Sequence, residues 1–118
     1  MTLNEYAMLA MRTSNEHLTR DAHVHNGVLG LAGEAGECCD LVKKSYYQDG
    51  RHIRQALLDE LGDVLWYVAE TATAMGFSLE SVAEHNIQKL KARYPEGFDA
   101  ERSLHREEYA KDPYTDGN

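Results

Sequence analysis

Apolar residues recur along this chain at helical spacing, and turn-forming residues divide the pattern into four segments. The first predicted helix starts at Thr2, which has the spacing of a capping box with Glu5, and ends at about Ser14. The other segments cover about residues 23–45, 52–75 and 78–94. No stretch alternates between apolar and polar residues as a half-buried strand does. We therefore predict an all-α fold with a four-helix core.

The third predicted helix, residues 52–75, is apolar over most of its circumference. Leu61 and Val68 belong to its main apolar stripe, whereas Trp66 and Ala69 extend the apolar surface round the back. The polar remainder forms one arc that holds Asp59, Glu60, Asp63, Glu70 and the Tyr67 hydroxyl. In so small a chain, the other three helices can cover one side of this helix. They can hardly cover both sides and still leave the polar arc open to a ligand. We therefore expect a homo-oligomer in which this helix contacts a second copy of the chain.

Composition and charge restrict the class of protein. With 118 residues and a hydrophobic content of 42%, the chain suits one domain over residues 1–97, followed by a polar tail over residues 98–118. A formal charge of −8 argues against a nucleic-acid-binding surface. The chain has no apolar run of membrane-spanning length and no secretory signal at its start, so we expect a cytoplasmic protein with no membrane partner. Cys38 and Cys39 are adjacent and lack metal-binding spacing, so we interpret them as small apolar residues.

Two short acidic motifs lie on the second and third predicted helices. Each places two carboxylates three residues apart, Glu34 and Glu37 in the first and Glu60 and Asp63 in the second. Residues at that spacing share a helix face, so two facing helices would bring the carboxylates together. Carboxylates so close repel one another unless cations lie between them or some are protonated. Because an all-oxygen ligand set suits Mg²⁺, Mn²⁺ or Ca²⁺, the motifs predict a divalent-metal site.

A solvated helix face is the simpler interpretation of any one such acidic pair, but two observations favour the metal site. Glu34 lies on a stripe with Leu31 and Cys38, where a glutamate is costly unless it is paired or ligated. Gly36 and Gly62 precede the second acid of each motif, and we expect them to let the two helix backbones approach closely. Together these features favour a metal site over a solvated helix face as the interpretation of the two acidic motifs.

The remaining polar and aromatic residues carry weaker signals. Asn86, Lys89 and Arg93 share a face of the fourth predicted helix, where an ordinary exposed face is the simpler role. Core or subunit packing is likewise the simpler role for Trp66 and Tyr67. None of the six histidines lies three residues after a glutamate, which counts against a di-iron carboxylate bundle.

Three segments, residues 30–37, 60–67 and 86–95, combine these features in one order. They read GLAGEAGE, ELGDVLWY and NIQKLKARYP, and the first two carry ExxE and ExxD halves with 22 residues between them. In this they resemble the MazG-like nucleoside triphosphate pyrophosphohydrolases. The likeness runs over about residues 26–95, whereas the first predicted helix and the tail contribute little.

The resemblance implies an all-α fold of the NTP pyrophosphatase type that works as a dimer or tetramer. It also implies Mg²⁺-dependent cleavage of nucleoside triphosphates to the monophosphate and pyrophosphate, with Mn²⁺ as a substitute, in the house-cleaning of nucleotide pools. It assigns the metal to Glu34, Glu37, Glu60 and Asp63. It places Asn86, Lys89 and Arg93 at the nucleotide, and Asn26 and Tyr67 near its sugar or base. We expect Glu37, at the edge of the apolar stripe, to act as the general base.

Two other hypotheses stay open at this point. One is a helical oligomer that binds nucleotide or protein without turnover and uses metal for stability or regulation. The other is a carboxylate-bridged enzyme that uses a redox metal. Release of pyrophosphate from a panel of nucleoside triphosphates with Mg²⁺ distinguishes the pyrophosphohydrolase from both.

Overall fold

The computed structural model of the chain describes residues 1–49 and 52–105. Its α-helices are α1 (Leu3–Met11), α2 (Arg20–Lys44), α3 (Arg54–Ala74), α4 (Leu79–Arg93) and α5 (Ala100–Leu104), and one turn of π-helix, Ser45–Asp49, follows α2. Within the described residues there is no β-strand, only an isolated bridge between Pro95 and Gly97. No helix in these ranges combines the length and apolar content needed to cross a bilayer. The predicted all-α fold is confirmed.

Local sequence signals set the start of α1 and the end of α3. Thr2 Oγ1 accepts a hydrogen bond from the Glu5 N–H at 3.0 Å, and Glu5 Oε2 accepts one from the Thr2 N–H at 2.7 Å. This is the predicted capping box. At the end of α3, Gly76 takes a φ of 80°, and the Phe77 N–H donates to the Ala72 carbonyl at 2.8 Å. That pattern is a Schellman motif, which needs a residue tolerant of positive φ at the position of Gly76.

Other helix ends differ from the predicted segments by a few residues. α2 begins at Arg20 rather than near residue 23, because Thr19 is its N-cap. Thr19 Oγ1 accepts a hydrogen bond from the Ala22 N–H in the first turn. The Asp49-Gly50 pair that follows α2 has the sequence of a turn. The structure forms a turn of π-helix as far as Asp49, and Gly50 lies outside the described residues. In the polar tail, Asp99 caps α5, a short helix that the apolar pattern does not predict.

The chain forms two compact units, Met1–Leu79 and Glu80–Asn118. In the first unit, α2 packs along α3, and α1 packs on α3. Gly27 of α2 and Ala69 and Ala72 of α3 are buried. Apart from Glu70, which is also buried on α3, small residues therefore occupy the buried positions of these two helices.

Two glycines of α2 set how closely it approaches α3. A Cβ on Gly27 would overlap Thr71 Oγ1, and a Cβ on Gly30 would overlap the ring of Tyr67. Residue numbers rise along α2 as they fall along α3 in these pairs, so the two helices are antiparallel. Larger residues at either glycine would push the helices apart.

The glycines of the acidic motifs do not have this role. A Cβ on Gly36 or Gly62 would meet no described atom within 4 Å. The expectation that these two residues let the helix backbones approach is therefore wrong. Both glycines lie on faces turned away from the α2–α3 contact.

Trp66 packs within its own chain rather than on an open back of α3. Its indole Nε1–H donates to the Ala10 carbonyl at 3.1 Å and to Thr13 Oγ1 at 2.8 Å. Ala69 is 0% exposed. α1 therefore covers part of the α3 surface that we expected a second copy to cover, and Ala69 cannot belong to a subunit interface.

Other apolar side chains of the first unit are exposed. Five small or apolar residues at helical spacing form a row along α2 that is exposed throughout: Val28, Ala32, Ala35, Cys39 and Val42. Leu29, which follows Val28 in the sequence, is 73% exposed. Leu58 of α3 is 62% exposed. By contrast Leu31, Cys38 and Leu41, on the stripe with Glu34, are half-buried as predicted. Apolar surface of this extent is typical of a contact with another protein.

The second unit contains most of α4 and all of α5. Arg102 Nη1 donates to the Arg93 carbonyl at 3.2 Å and so links α5 to the end of α4. Between these helices, the rings of Tyr94 and Phe98 lie 5.9 Å apart, around a turn in which Gly97 takes a φ of 93°. α4 thus ends just before Pro95, where the sequence predicts its end.

Candidate metal centre

Three carboxylates meet where α2 passes α3. Glu34 comes from α2, and Glu60 and Asp63 come from one turn of α3. One carboxylate oxygen from each residue lies within 4.8 Å of the other two. Glu34 and Glu60 are half-buried, whereas Asp63 is exposed. The structure therefore brings together three of the residues that the sequence proposes as metal ligands.

These carboxylates change one another's ionisation. The pKa of Glu60 is raised above its ordinary value, first because its carboxyl group shares a hydrogen bond with Glu34. Loss of solvent raises this pKa further, as do the negative charges of Glu34, Asp63 and Asp59. A cation between the oxygens would remove this crowding, and hard divalent cations prefer carboxylate oxygens. The donor set therefore fits Mg²⁺ or Mn²⁺.

Glu37 lies outside this group. It is exposed on α2, one turn after Glu34. Three residues of α-helix turn the side chain by about 300°, so Glu37 is offset by about 60° from Glu34 around the helix. Its part in metal binding or catalysis stays a prediction.

Two neutral titratable side chains lie near the carboxylates. The pKa of the Cys38 thiol is raised, first by loss of solvent and then by the charge of Glu60. The pKa of the Tyr6 hydroxyl is raised by burial and, less, by the charge of Asp63. Both groups therefore stay protonated at neutral pH, and Cys38 remains an unreactive small side chain.

An open cleft of about 370 Å³ adjoins the carboxylates. Glu34 and Asp63 line it together with Trp66 and Tyr67, whose rings meet edge to face with centroids 5.1 Å apart. Thr13, just after α1, also lines it. The pattern of the sequence gives no signal for Thr13, because the residue lies at the end of the first predicted helix and outside any motif. Aromatic rings beside a cation site offer a surface for a planar ligand group next to a charged one.

Glu70 is buried, although its helical position assigns it to the open polar arc of α3. Its side chain is 2% exposed, so that assignment is wrong for this residue. Glu70 Oε1 accepts from Asn26 Nδ2 at 2.7 Å, and Oε2 lies 3.1 Å from His23 Nδ1 and 3.5 Å from Ser14 Oγ. A second cavity, of about 220 Å³, adjoins this network. The sequence pattern gives no signal for this burial, because the residues that cover Glu70 come from α2 and from the connection before it.

The three polar residues proposed on the fourth helix lie in the second unit. On α4, Asn86 is exposed, and Lys89 and Arg93 are half-buried. Arg93 Nε is buried and has no hydrogen-bond partner among the described residues. Contact of these side chains with a nucleotide stays a prediction.

Comparison with known proteins bears on this site. Residues 23–98 match the MazG nucleotide pyrophosphohydrolase domain family, and this range contains most of α2, all of α3 and the three clustered carboxylates. The Gene 37 protein of Mycobacterium phage L5 is 42% identical over an alignment of 73 residues, and this alignment covers 58% of this chain and 64% of that protein. The chain thus spans less than two thirds of that relative, whose name states no activity. No solved structure matches the chain significantly.

Proposed function

Since the chain belongs to the MazG nucleotide pyrophosphohydrolase family, we propose that it hydrolyses nucleoside triphosphates to the monophosphate and pyrophosphate. The main support is the meeting of Glu34, Glu60 and Asp63 beside an open cleft. A volume of about 370 Å³ falls in the range of small-ligand sites. The family match covers all three acids. Removal of unwanted nucleotides from the cellular pool is the role that we assign to this reaction.

We assign metal binding to Glu34, Glu60 and Asp63, with Glu37 completing the ligand set. Mg²⁺, or Mn²⁺ in its place, supplies charge neutralisation for the phosphate oxygens and acidifies a ligated water when it is bound. Glu60 must give up its proton and its hydrogen bond to Glu34 before it can act as a ligand. Affinity for the cation should therefore increase as the pH rises through the pKa of Glu60.

We assign the general base to Glu37. Because it lies outside the group formed by Glu34, Glu60 and Asp63, one of its oxygens is available to accept a proton from the attacking water. Because Glu37 is exposed, it can pass that proton on to solvent. Glu37→Gln should therefore lower kcat more than it weakens metal binding.

The aromatic side of the cleft suits the nucleoside. Tyr67 and Trp66 line the same cleft as Glu34 and Asp63, so a nucleotide held by its phosphates at the acids would place its sugar or base against these rings. We assign Asn26 to the same end of the substrate. Binding of phosphate by Asn86, Lys89 and Arg93 of α4, through an amide and two cations, stays a prediction.

The proposed enzyme acts as a homo-oligomer, a dimer or a tetramer. Support comes from the exposed apolar row of α2 and from Leu58 of α3, which a second copy would cover. The charge of −8 is unfavourable for a nucleic-acid partner, which fits a small nucleotide as substrate.

Release of pyrophosphate from a panel of ribo- and deoxyribonucleoside triphosphates, with and without Mg²⁺, tests the function directly. We expect Mg²⁺-dependent release by the wild type and its loss in Glu34→Gln. Asp40→Asn is the matched control, because Asp40 is an acid of the same helix that pairs with Lys44 at 2.6 Å instead of joining the cluster. Nucleotide binding without pyrophosphate release would favour a non-catalytic nucleotide-binding oligomer.

A further inference from the structure

Glu70 connects the interior of the first unit to an exposed side chain. Its carboxylate is 2% exposed, whereas Asn26, which donates to Oε1 at 2.7 Å, is an exposed residue of α2. His23 holds the other carboxylate oxygen at 3.1 Å, with Ser14 at 3.5 Å. A buried carboxylate keeps such partners, because each lost hydrogen bond leaves charge unsatisfied in the interior. Asn26 is thus tied to a group that cannot readily move.

This hydrogen bond fixes which end of the Asn26 amide can meet a ligand. A carboxylate only accepts hydrogen bonds, so Asn26 must turn its NH₂ group toward Glu70. The Oδ1 carbonyl is then the acceptor that Asn26 can offer to a ligand. Without the carboxylate, the amide is free to rotate and to present either end.

Asn26 also lies on the same side of α2 as the metal centre. Asn26, Gly30 and Glu34 follow one another at intervals of four residues, which keeps them near one helix face. At 1.5 Å per residue, Asn26 and Glu34 are about 12 Å apart along the helix axis. Tyr67 lies against Gly30, midway between them, and lines the cleft that contains Glu34. A nucleotide whose phosphates lie at Glu34 can therefore reach Asn26 with its sugar or base.

The same contacts exclude a nucleophilic role for Ser14. Ser14 Oγ and Glu70 Oε2 both approach the Nδ1 atom of His23, at 3.5 and 3.1 Å. A catalytic triad needs the acid on one ring nitrogen and the hydroxyl on the other. The network around Glu70 therefore holds side chains in place rather than activating a hydroxyl.

We propose that Glu70 is a positioning residue that fixes the amide of Asn26, so that Asn26 Oδ1 accepts a hydrogen bond from the nucleoside end of the substrate. This inference deepens the proposed function and rests on it. The group recognised is a hydrogen-bond donor, either a sugar hydroxyl or a base N–H. Because this contact is remote from the reacting phosphates, it stabilises the ground state and the transition state alike. Its loss should raise KM and leave kcat unchanged.

The test measures KM and kcat for pyrophosphate release in Glu70→Leu, Asn26→Ala and the double variant. We expect each single variant to raise KM about tenfold, and the double variant to raise it no further, because both remove the same contact. Glu70→Gln should restore most of the lost affinity, since its amide oxygen still accepts from Asn26. Glu16→Gln is the control, because Glu16 lines the cavity beside Glu70 from the α1–α2 connection and should keep the wild-type KM.

A wild-type KM in Asn26→Ala overturns the proposal, whether or not Glu70→Leu folds. Additive effects of the two substitutions also overturn it, because Glu70 would then act independently of Asn26. A 2′,3′-dideoxynucleotide distinguishes the two donors. If the donor is a sugar hydroxyl, this analogue binds the wild type more weakly than the parent nucleotide but binds Asn26→Ala equally well. If the donor is a base N–H, a change of base instead weakens binding to the wild type and leaves binding to Asn26→Ala unchanged. If neither the sugar analogue nor a change of base gives this result, the proposal is contradicted.

Equilibrium binding of an α,β-methylene nucleoside triphosphate, which cannot be cleaved between those phosphates, is measured on the same variants. If the wild type binds this analogue but releases no pyrophosphate, the proposed function fails, and the affinities of the variants still decide the role of Glu70. If the wild type binds no nucleotide, both proposals fail.

Discussion

Gly30 of α2 lies so close to Tyr67 of α3 that a Cβ on the glycine would overlap the phenol ring. Tyr67 also lines the cleft beside Glu34 and Asp63. The missing side chain at Gly30 therefore determines two things, the spacing of the two central helices and the position of an aromatic ring next to the candidate metal centre.

Gly30→Ala should lower the free energy of unfolding by about 2 kcal/mol, because the added methyl group overpacks the α2–α3 contact. Urea denaturation monitored by circular dichroism measures the change. Gly36→Ala is the matched control on the same helix, since a Cβ there meets no described atom within 4 Å. The control should be as stable as the wild type or more stable by up to about 1 kcal/mol, because alanine favours helix over glycine. Equal stability of the two variants would show that the close contact at Tyr67 is absent.

Mg²⁺ should raise the Tm of the wild type, because a ligand that binds only the folded state stabilises it. The rise should be much smaller in Glu34→Gln, which removes one charged ligand from the group with Glu60 and Asp63. Thermal unfolding across a Mg²⁺ titration gives the comparison, and Asp40→Asn should respond like the wild type. A shift of equal size in wild type and Glu34→Gln would place the metal elsewhere.

The raised pKa of Glu60 predicts a pH dependence of the metal-free protein. A carboxyl group that binds its proton more tightly when folded contributes stability that is complete below its unfolded-state pKa. That contribution is lost as the pH rises through the higher pKa of the folded state. The metal-free wild type should therefore gain Tm on acidification from about pH 7 toward the ordinary glutamate range of about pH 4–5, relative to Glu60→Gln. Glu60→Gln should itself have a higher Tm than the wild type at neutral pH without metal.

Thermal scans of both proteins at several pH values isolate this effect, since the two proteins differ only at residue 60. Parallel pH profiles for wild type and Glu60→Gln would contradict the crowding of the three acids. Excess Mg²⁺ should make the dependence of Tm on pH the same in both proteins, because the bound cation keeps Glu60 ionised.

The exposed apolar surface predicts self-association. Light scattering at micromolar concentration should show a dimer or tetramer for the wild type. Leu29→Glu or Leu58→Glu should dissociate it, because each replaces an exposed apolar side chain with a charge that a subunit contact cannot solvate. His17→Glu, which places the same side chain on the exposed α1–α2 connection, should leave the oligomer intact. A well-folded, fully active wild-type monomer would contradict the prediction.

Features that are set within a single helix, such as its cap and the face that it buries, could be predicted from the sequence. Thr2 and Glu5 predict their capping box, and the spacing of Glu34 with Leu31 predicts a half-buried acid. Features that depend on which elements meet could not. Helical projection gives the direction of Glu70 but not the residues that cover it, and these come from α2 and from the connection before it.

The motif glycines show the same limit. Gly36 and Gly62 look equivalent to Gly30 in the sequence, because all three lie in or beside the acidic motifs. Only the register of α2 against α3 decides that Gly30 meets a side chain and that the other two do not. Register between helices depends on the complete set of packed side chains, which no short pattern contains.

The chain has a single tryptophan, Trp66, whose indole N–H donates hydrogen bonds to the Ala10 carbonyl and to Thr13 Oγ1. Its ring also lines the cleft beside the acids. Its fluorescence therefore reports two events without any label. Detachment of α1 would expose the indole and shift the emission to longer wavelength, whereas occupation of the cleft would quench or shift it while α1 stays in place. A titration followed at this one fluorophore can thus show whether the first helix stays docked while the cleft fills.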